Sequence, residues 1–386
     1  MEEVLGYRAC PGICRASDDF HIGQPAAQAV KCTAQLRIGA FQDGNFMEDL
    51  LYSHEKFRSN RMKTHVIILF LLAASQVTFS DEPAFSPKSM AYVLQADKLS
   101  PDRKTAVKTL KECHRDLIVI DASYESGSGN EGRWTKDEIS EIRSGAADRK
   151  VVAYISIGEA EDYRSYWKKD WDANKDGKPD KGAPDFLDQV NPDWAGNYKV
   201  RYWKADWQKI ILDEIGRIID QGFDGIYLDI VDGFEFFEYD KIKKDWQDGK
   251  KNPDTGKSYR EDMIAWVEKI AEFARKVKKE FIVIPQNGSQ LLKNPEFVRT
   301  ISAIGIEDLF TEGNKIRKPS DAKDRIDNLS EMKKAGKPVL LIEYGKNEKA
   351  REASRKGAAK NGLILLITDR ELATPGEAVH ENSKTR

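Results

Sequence analysis

The stretch GFDGIYLDIVD, residues 222–232, carries the first clue to the fold. Gly222 follows an amphipathic run that begins near Ala205, and a glycine there can take the left-handed conformation that closes a helix. DGIYLD (224–229) comes next, an apolar run whose length suits a strand buried on both faces, as in a parallel sheet under helices. The run stops on a carboxylate, Asp229. Helix, short turn, buried strand and terminal acid make one repeat unit of an α/β protein.

The same unit recurs on both sides. Candidate strands are LIVID (117–121), VVAYISI (151–157), VRYW (200–203), DGIYLD, FIVIPQ (281–286), SAIGIE (302–307), PVLLIE (338–343) and LILLIT (363–368). Thr135 with Glu138 three residues later forms a capping box, and a helix from about Ser320 ends at Gly336. Eight strands alternating with helices predict a single-domain (β/α)8 TIM barrel, a fold of about 250 residues. Extra length falls in two insertions, 160–199 and 233–258, the first an aromatic-rich segment after strand 2. A doubly wound open sheet is the rival, and the strand count and carboxylate placement favour the barrel.

The first eighty residues read differently. Cys10, Cys14 and Cys32 sit in a stretch without hydrophobic period, and Met62-Lys-Thr-His65 then leads into VIILFLLAA (66–74). A basic start, a short apolar run and small residues make a secretory signal peptide. The run is too short for the roughly 20 apolar residues of a membrane span. Residues 1–61 therefore read as an upstream mis-start or a disordered extension, 62–80 as the signal, and 81–386 as the barrel. Export to the periplasm or medium follows, with a mature end between Gln76 and Asp81 and one remaining cysteine, Cys113. The spacing of Cys10, Cys14, Cys32 and His21 matches no usual zinc pattern.

Composition narrows the partners. The 62 basic and 64 acidic residues leave a net charge of −2, which removes the case for a basic nucleic-acid face. A hydrophobic share of 40% suffices for a full core, and a monomer free of the membrane is expected. Beyond the signal only His114 and His380 remain, so a histidine triad or histidine-rich metal site is disfavoured, and no cofactor or metal is expected.

A barrel builds its site where strands end. The residues at or just past the candidate strand ends are Asp121, Glu159, Trp203, Asp229, Asn287, Glu307, Glu343 and Asp369. Single acids there could be helix caps, but six on one rim predict a site. Carboxylates without histidine fit glycoside hydrolysis, which needs one acid for the leaving oxygen and a second to attack or to activate water. Trp167, Trp171, Trp194, Trp203 and Trp207 cluster in or beside the first insertion, either as flat platforms for sugar faces or as a mini-core.

Two motifs are decoys. GSGNEG (127–132) matches G-x-G-x-x-G but lies past the strand end and ahead of the helix, which favours a loop. DANKDGKPD (172–180) places acids at calcium-loop positions, yet its twelfth position is Ala183 instead of glutamate, so an Asx-rich turn is favoured.

YISIGEAEDYR (154–164), GFDGIYLDIVD, IPQNGS (284–289), GIEDLF (305–310) and LLIEYG (340–345) together resemble glycoside hydrolase family 114, over roughly 95–370. The likeness is nearest to its bacterial and archaeal branch. The resemblance implies a (β/α)8 barrel with endo-α-1,4-polygalactosaminidase activity. It also implies Asp229 as nucleophile and Glu307 as general acid/base. Asp121, Tyr154, Glu159, Tyr227, Asn287, Glu343 and Tyr344 would then line the polysaccharide. HIGQ at 21–24 is similar to a tRNA-synthetase signature but has no KMSKS partner. A polysaccharide-binding barrel without turnover is the non-enzymatic alternative. A carboxyl separation of about 5–5.5 Å gives retention and about 6.5–9.5 Å inversion, and retention is expected.

Overall fold

A computed structural model describes residues 85–125 and 128–378. The extension, the signal peptide, His380 and three of the four cysteines lie outside the described residues. Eight parallel strands form the barrel: β1 (Met90–Val93), β2 (Leu117–Asp121), β3 (Lys150–Ser156), β4 (Gly225–Asp229), β5 (Ile282–Pro285), β6 (Ile304–Glu307), β7 (Val339–Glu343) and β8 (Ile364–Ile367). Strands β1 to β5 pair in order, as do β6 to β8. The bridge between Gln286 and Gly305 joins the two runs, and β8 packs beside β1.

Seven helices follow the first seven strands: α1 (Arg103–Glu112), α2 (Lys136–Arg143), α3 (Ala205–Asp220), α4 (Tyr259–Val277), α5 (Pro295–Thr300), α6 (Pro319–Lys334) and α7 (Glu348–Asn361). The Thr135–Glu138 capping box opens α2, and Ser258 with Glu261 makes a second at α4. Gly222 and Gly336 take positive φ just past α3 and α6.

The strands are apolar throughout because both faces are buried. One parity fills the barrel with Met90, Tyr92, Val152, Tyr154, Tyr227, Ile284, Leu340 and Ile342. The other meets the helices through Val93, Ile120, Val151, Ile226, Val283 and Leu341. Burying each such aliphatic side chain contributes roughly 1.5–3 kcal/mol before entropy is charged against it.

One strand assignment changes. VRYW is not a barrel strand: Trp194–Val200 is antiparallel, pairing with Leu187–Asn191 and Glu159–Glu161 in a three-stranded sheet of the insertion. The barrel instead begins at Met90–Val93, four residues too short to display a period. The aromatic-rich insertion consequently follows the third strand, not the second. The 127–132 run ends in one helical turn, Gly129–Gly132.

Candidate active site

Side chains alternate across a strand, so register decides which terminal residues reach the mouth. Tyr227 and Asp229 share the inward parity of β4, and Tyr154 is paired in register with Tyr227. On β6 the inward series is Ala303, Gly305, Glu307, and on β7 it is Leu340, Ile342, Tyr344.

Among the described residues, Asp229 and Glu307 are the barrel-strand-end carboxyls held by tyrosines. Tyr154 Oη donates to Asp229 Oδ2 at 2.7 Å, and the Ile230 amide donates to Oδ1 at 2.8 Å. Burial, with the charge of Glu307 second, pushes the Asp229 carboxyl up to about 7 despite those two donors. Tyr344 Oη donates to Glu307 Oε1, and the Gln286 amide near that carboxyl favours its ionised form. Burial raises Glu307 as well, with Asp308 adding to the effect and Arg370 opposing it. Both carboxyls thus sit above the usual carboxylate range, Asp229 at about 7.

A polar layer beneath fixes their positions. Tyr227 Oη donates to Gln286 Oε1, and the Tyr92 ring lies 5.1 Å from that of Tyr227. Gly305 is obligatory here, because a Cβ at that position would come within 1.8 Å of Tyr227 Oη and 2.5 Å of Gln286 Oε1. Asn287, at φ 59°, accepts from the Glu307 amide at 3.2 Å and so ties the ends of β5 and β6 together.

The other anticipated residues lie around this pair. Asp121 takes a bidentate pair from Arg164 (3.0 and 2.7 Å), which also reaches Glu161 at 2.7 Å. Glu159 is fully buried beyond the end of β3, accepting from Asn191, Asn197 and Lys199 of the insertion. Glu343 differs. It has the outward parity of Leu341, and its oxygens accept from the Phe310 and Thr311 amides and the Thr311 hydroxyl. Asp369 likewise holds its own loop through Ala373 and Thr374. The rim of six converging acids is therefore smaller than the strand ends suggested. Register turns Glu343 and Asp369 away from the mouth.

The aromatic expectation also changes. Trp167, Trp171, Phe186, Tyr198 and Trp207 pack in successive ring contacts of 4.6–5.6 Å, while Trp203 packs on Tyr202, Phe237 and Tyr259. They form the insertion's core, leaving Trp194 (51% exposed) and Tyr163 (41%) at its surface. In the 172–180 loop, Asp172 accepts from the Asp176 and Gly177 amides and from Tyr198, the hydrogen bonding of an Asx-rich turn.

Tyr92, Gln286, Asp232, Lys199 and Arg370 complete the surroundings and were not anticipated. Asp232, just past Asp229, is raised well above the usual carboxylate range by burial, then by Glu235 and Asp229. Counting parity along β5, where Ile282 and Ile284 face inward, would have exposed Gln286. Nothing local marks Lys199 or Arg370.

A parallel barrel whose mouth holds two half-buried, tyrosine-bound carboxyls has the layout of a glycosidase. The chain belongs to glycoside hydrolase family GH114, whose profile matches residues 74–384. It is 33% identical over 258 residues to an uncharacterized protein of Deinococcus radiodurans, covering 67% of this chain and 74% of the relative. Uncharacterized protein MJ1477 of Methanocaldococcus jannaschii is 33% identical over 298 residues, covering 72% and 79%. Among solved structures, the glycoside hydrolase domain of PelA from Pseudomonas aeruginosa shares the fold at TM-score 0.52 and 15% identity, over 76% of this chain and 99% of that one. Aspergillus fumigatus Ega3, in complex with galactosamine, does so at TM-score 0.51 and 18% identity, over 77% and 96%.

Proposed function

We propose that this glycoside hydrolase cleaves an α-1,4-linked, galactosamine-containing polysaccharide from within the chain, outside the cytoplasm. The observation that carries the reading is the pairing of Asp229 with Tyr154 and of Glu307 with Tyr344 at the ends of β4 and β6. Asp229 serves as nucleophile, its carboxylate oriented by one phenol and one amide. Glu307 protonates the leaving oxygen and then activates water for the second step. Raised proton affinity in the pair supplies the acid at neutral pH.

Asp232 and Glu235 stand near Asp229 with raised proton affinity, and an amino-sugar's ammonium would ionise and pair with them, which favours a cationic polymer over a neutral or acidic one. The galactosamine bound by Ega3 points the same way. The test is incubation of residues 81–386 with a panel of amino-sugar and N-acetylated polymers, scored by new reducing ends. Cleavage of the galactosamine polymer, abolished in both Asp229→Asn and Glu307→Gln, is the expected result. Binding without reducing ends on any polymer would make the protein a polysaccharide-binding barrel. Product anomers followed by NMR should show retention, and inversion would replace Asp229 as nucleophile by Asp229 as base. The rate should fall on the acid side below about pH 7, as the Asp229 nucleophile takes up a proton.

A further inference from the structure

Past the end of β8 the chain places a cation against the acid/base machinery without touching its carboxyl. Arg370 Cζ stands 4.0 Å from the centroid of the Tyr344 ring. Its Nη2 donates to Asp308 Oδ2 at 2.6 Å, so the guanidinium is fixed at one edge while its plane covers the phenol. Tyr344 itself is 5% exposed, and its hydroxyl is spent on Glu307. Asp308 directly follows Glu307 in sequence and has φ 48°, a conformation that the Arg370 pair helps to hold. One arginine thus braces both neighbours of the Glu307 carboxyl.

We propose that Arg370 is a positioning residue for Glu307, acting through the Tyr344 ring and Asp308. The inference rests on the reading of Glu307 as the acid/base residue. A cation over an aromatic face is attracted by the ring's quadrupole and draws charge from the phenol, making its hydroxyl a stronger donor. A stronger donor holds the acceptor carboxyl in one orientation and favours its ionised form. The effect opposes burial and the neighbouring Asp308, which raise the Glu307 carboxyl. Glu307 is faced by Asp229 and Tyr227 from β4, Tyr92 from β1, Gln286 past β5, Tyr344 from β7 and Asp308 on its own loop; Arg325 and Arg317 reach the main-chain carbonyls of Glu307 and Asp308, and Arg370 is the cation on the Tyr344 and Asp308 side chains. Without it the Tyr344 hydroxyl would be a weaker donor, so the Glu307 carboxyl would be less firmly oriented and its proton affinity would rise further.

The decisive measurement needs no substrate. Protein labelled with 13C at the glutamate carboxyls would be titrated by NMR, with the Glu307 resonance assigned by its loss in Glu307→Gln. In Arg370→Met the Glu307 midpoint should rise by about half a pH unit, a fraction of a full ion-pair shift because Arg370 is partly exposed. Arg370→Lys, which keeps the charge, should restore most of that shift. On a polymer that the wild type cleaves, Arg370→Met should lower kcat about ten- to a hundred-fold with little change in KM. An unmoved midpoint in a folded Arg370→Met protein would overturn the proposal. So would a raised KM with unchanged kcat, which would make Arg370 a substrate contact. Failure of the catalytic reading is separate: it shows as a fully active Glu307→Gln, whatever the titration gives.

Discussion

Asp229 lies where the packed barrel interior gives way to the mouth, and its ionisation there costs free energy that an unfolded chain does not pay. Its carboxyl is raised to about 7 in the fold, against about 3.9 in an unfolded chain. Between those values the folded state holds a proton that the unfolded state has lost, so this residue's contribution to stability falls as pH rises from about 4 to about 7. Asp229→Asn removes the titration. The variant should gain on the wild type by on the order of 2–4 kcal/mol between pH 4 and pH 7.5, read by urea denaturation at both values. A constant difference across that range would show that Asp229 ionises normally. Glu343 should behave oppositely. Its buried carboxylate satisfies two amides and a hydroxyl of the 310–311 loop, so Glu343→Gln should cost about 2–3 kcal/mol. Turnover measured well below its melting temperature should stay within about tenfold of wild type, whereas Glu307→Gln should lose about a thousandfold or more. If Glu343→Gln loses activity and Glu307→Gln does not, the acid/base role moves to the seventh strand.

At the scale of elements, the strands act as rulers. A two-residue repeat carries Tyr227 and Asp229 inward on β4, and Gly305 and Glu307 inward on β6, so catalysis and packing are stacked on one face. Gly305 shows how tight that stack is. Gly305→Ala would drive a methyl into Tyr227 Oη and Gln286 Oε1, and both would have to move. A loss of about 1–3 kcal/mol is expected from the overpacking, together with a fall in kcat larger than any change in KM, because the Tyr227–Gln286 layer beneath Glu307 would shift. Normal kinetics in a destabilised Gly305→Ala protein would detach the tyrosine–glutamine layer from catalysis. The insertion after β3 is a small domain-like element with its own aromatic core. It contributes to the mouth through polar groups: Lys199, Asn191 and Asn197 neutralise and hold Glu159.

For the molecule as a whole, the proposed polysaccharide substrate is compatible with the export expected from the apolar run that follows Met62. Expression from Met62 should give a protein outside the cytoplasm whose new N-terminus falls between Gln76 and Asp81, read by N-terminal sequencing. Peptides from residues 1–61 in the native organism's extracts would show that the chain starts upstream and that the run has another use.

Alternation of buried runs with capped helices was enough to specify a (β/α)8 barrel, because those signals are local: a β-branched run, a capping box, a glycine past a helix. The positions of Asp229 and Glu307 were legible for the same reason, as acids ending apolar runs. Met90–Val93 was not, since four residues are too few to show a period, and VRYW imitated a strand of the barrel because it closes an antiparallel one. What only the tertiary structure decided is which side each terminal residue faces and what it meets. Glu343 and Tyr344 are neighbours in sequence, yet one anchors a loop behind the barrel and the other holds Glu307 within it. Arg370, Lys199 and Gln286 reach the mouth from separate segments, and the distances that make them partners exist only after the strands have closed.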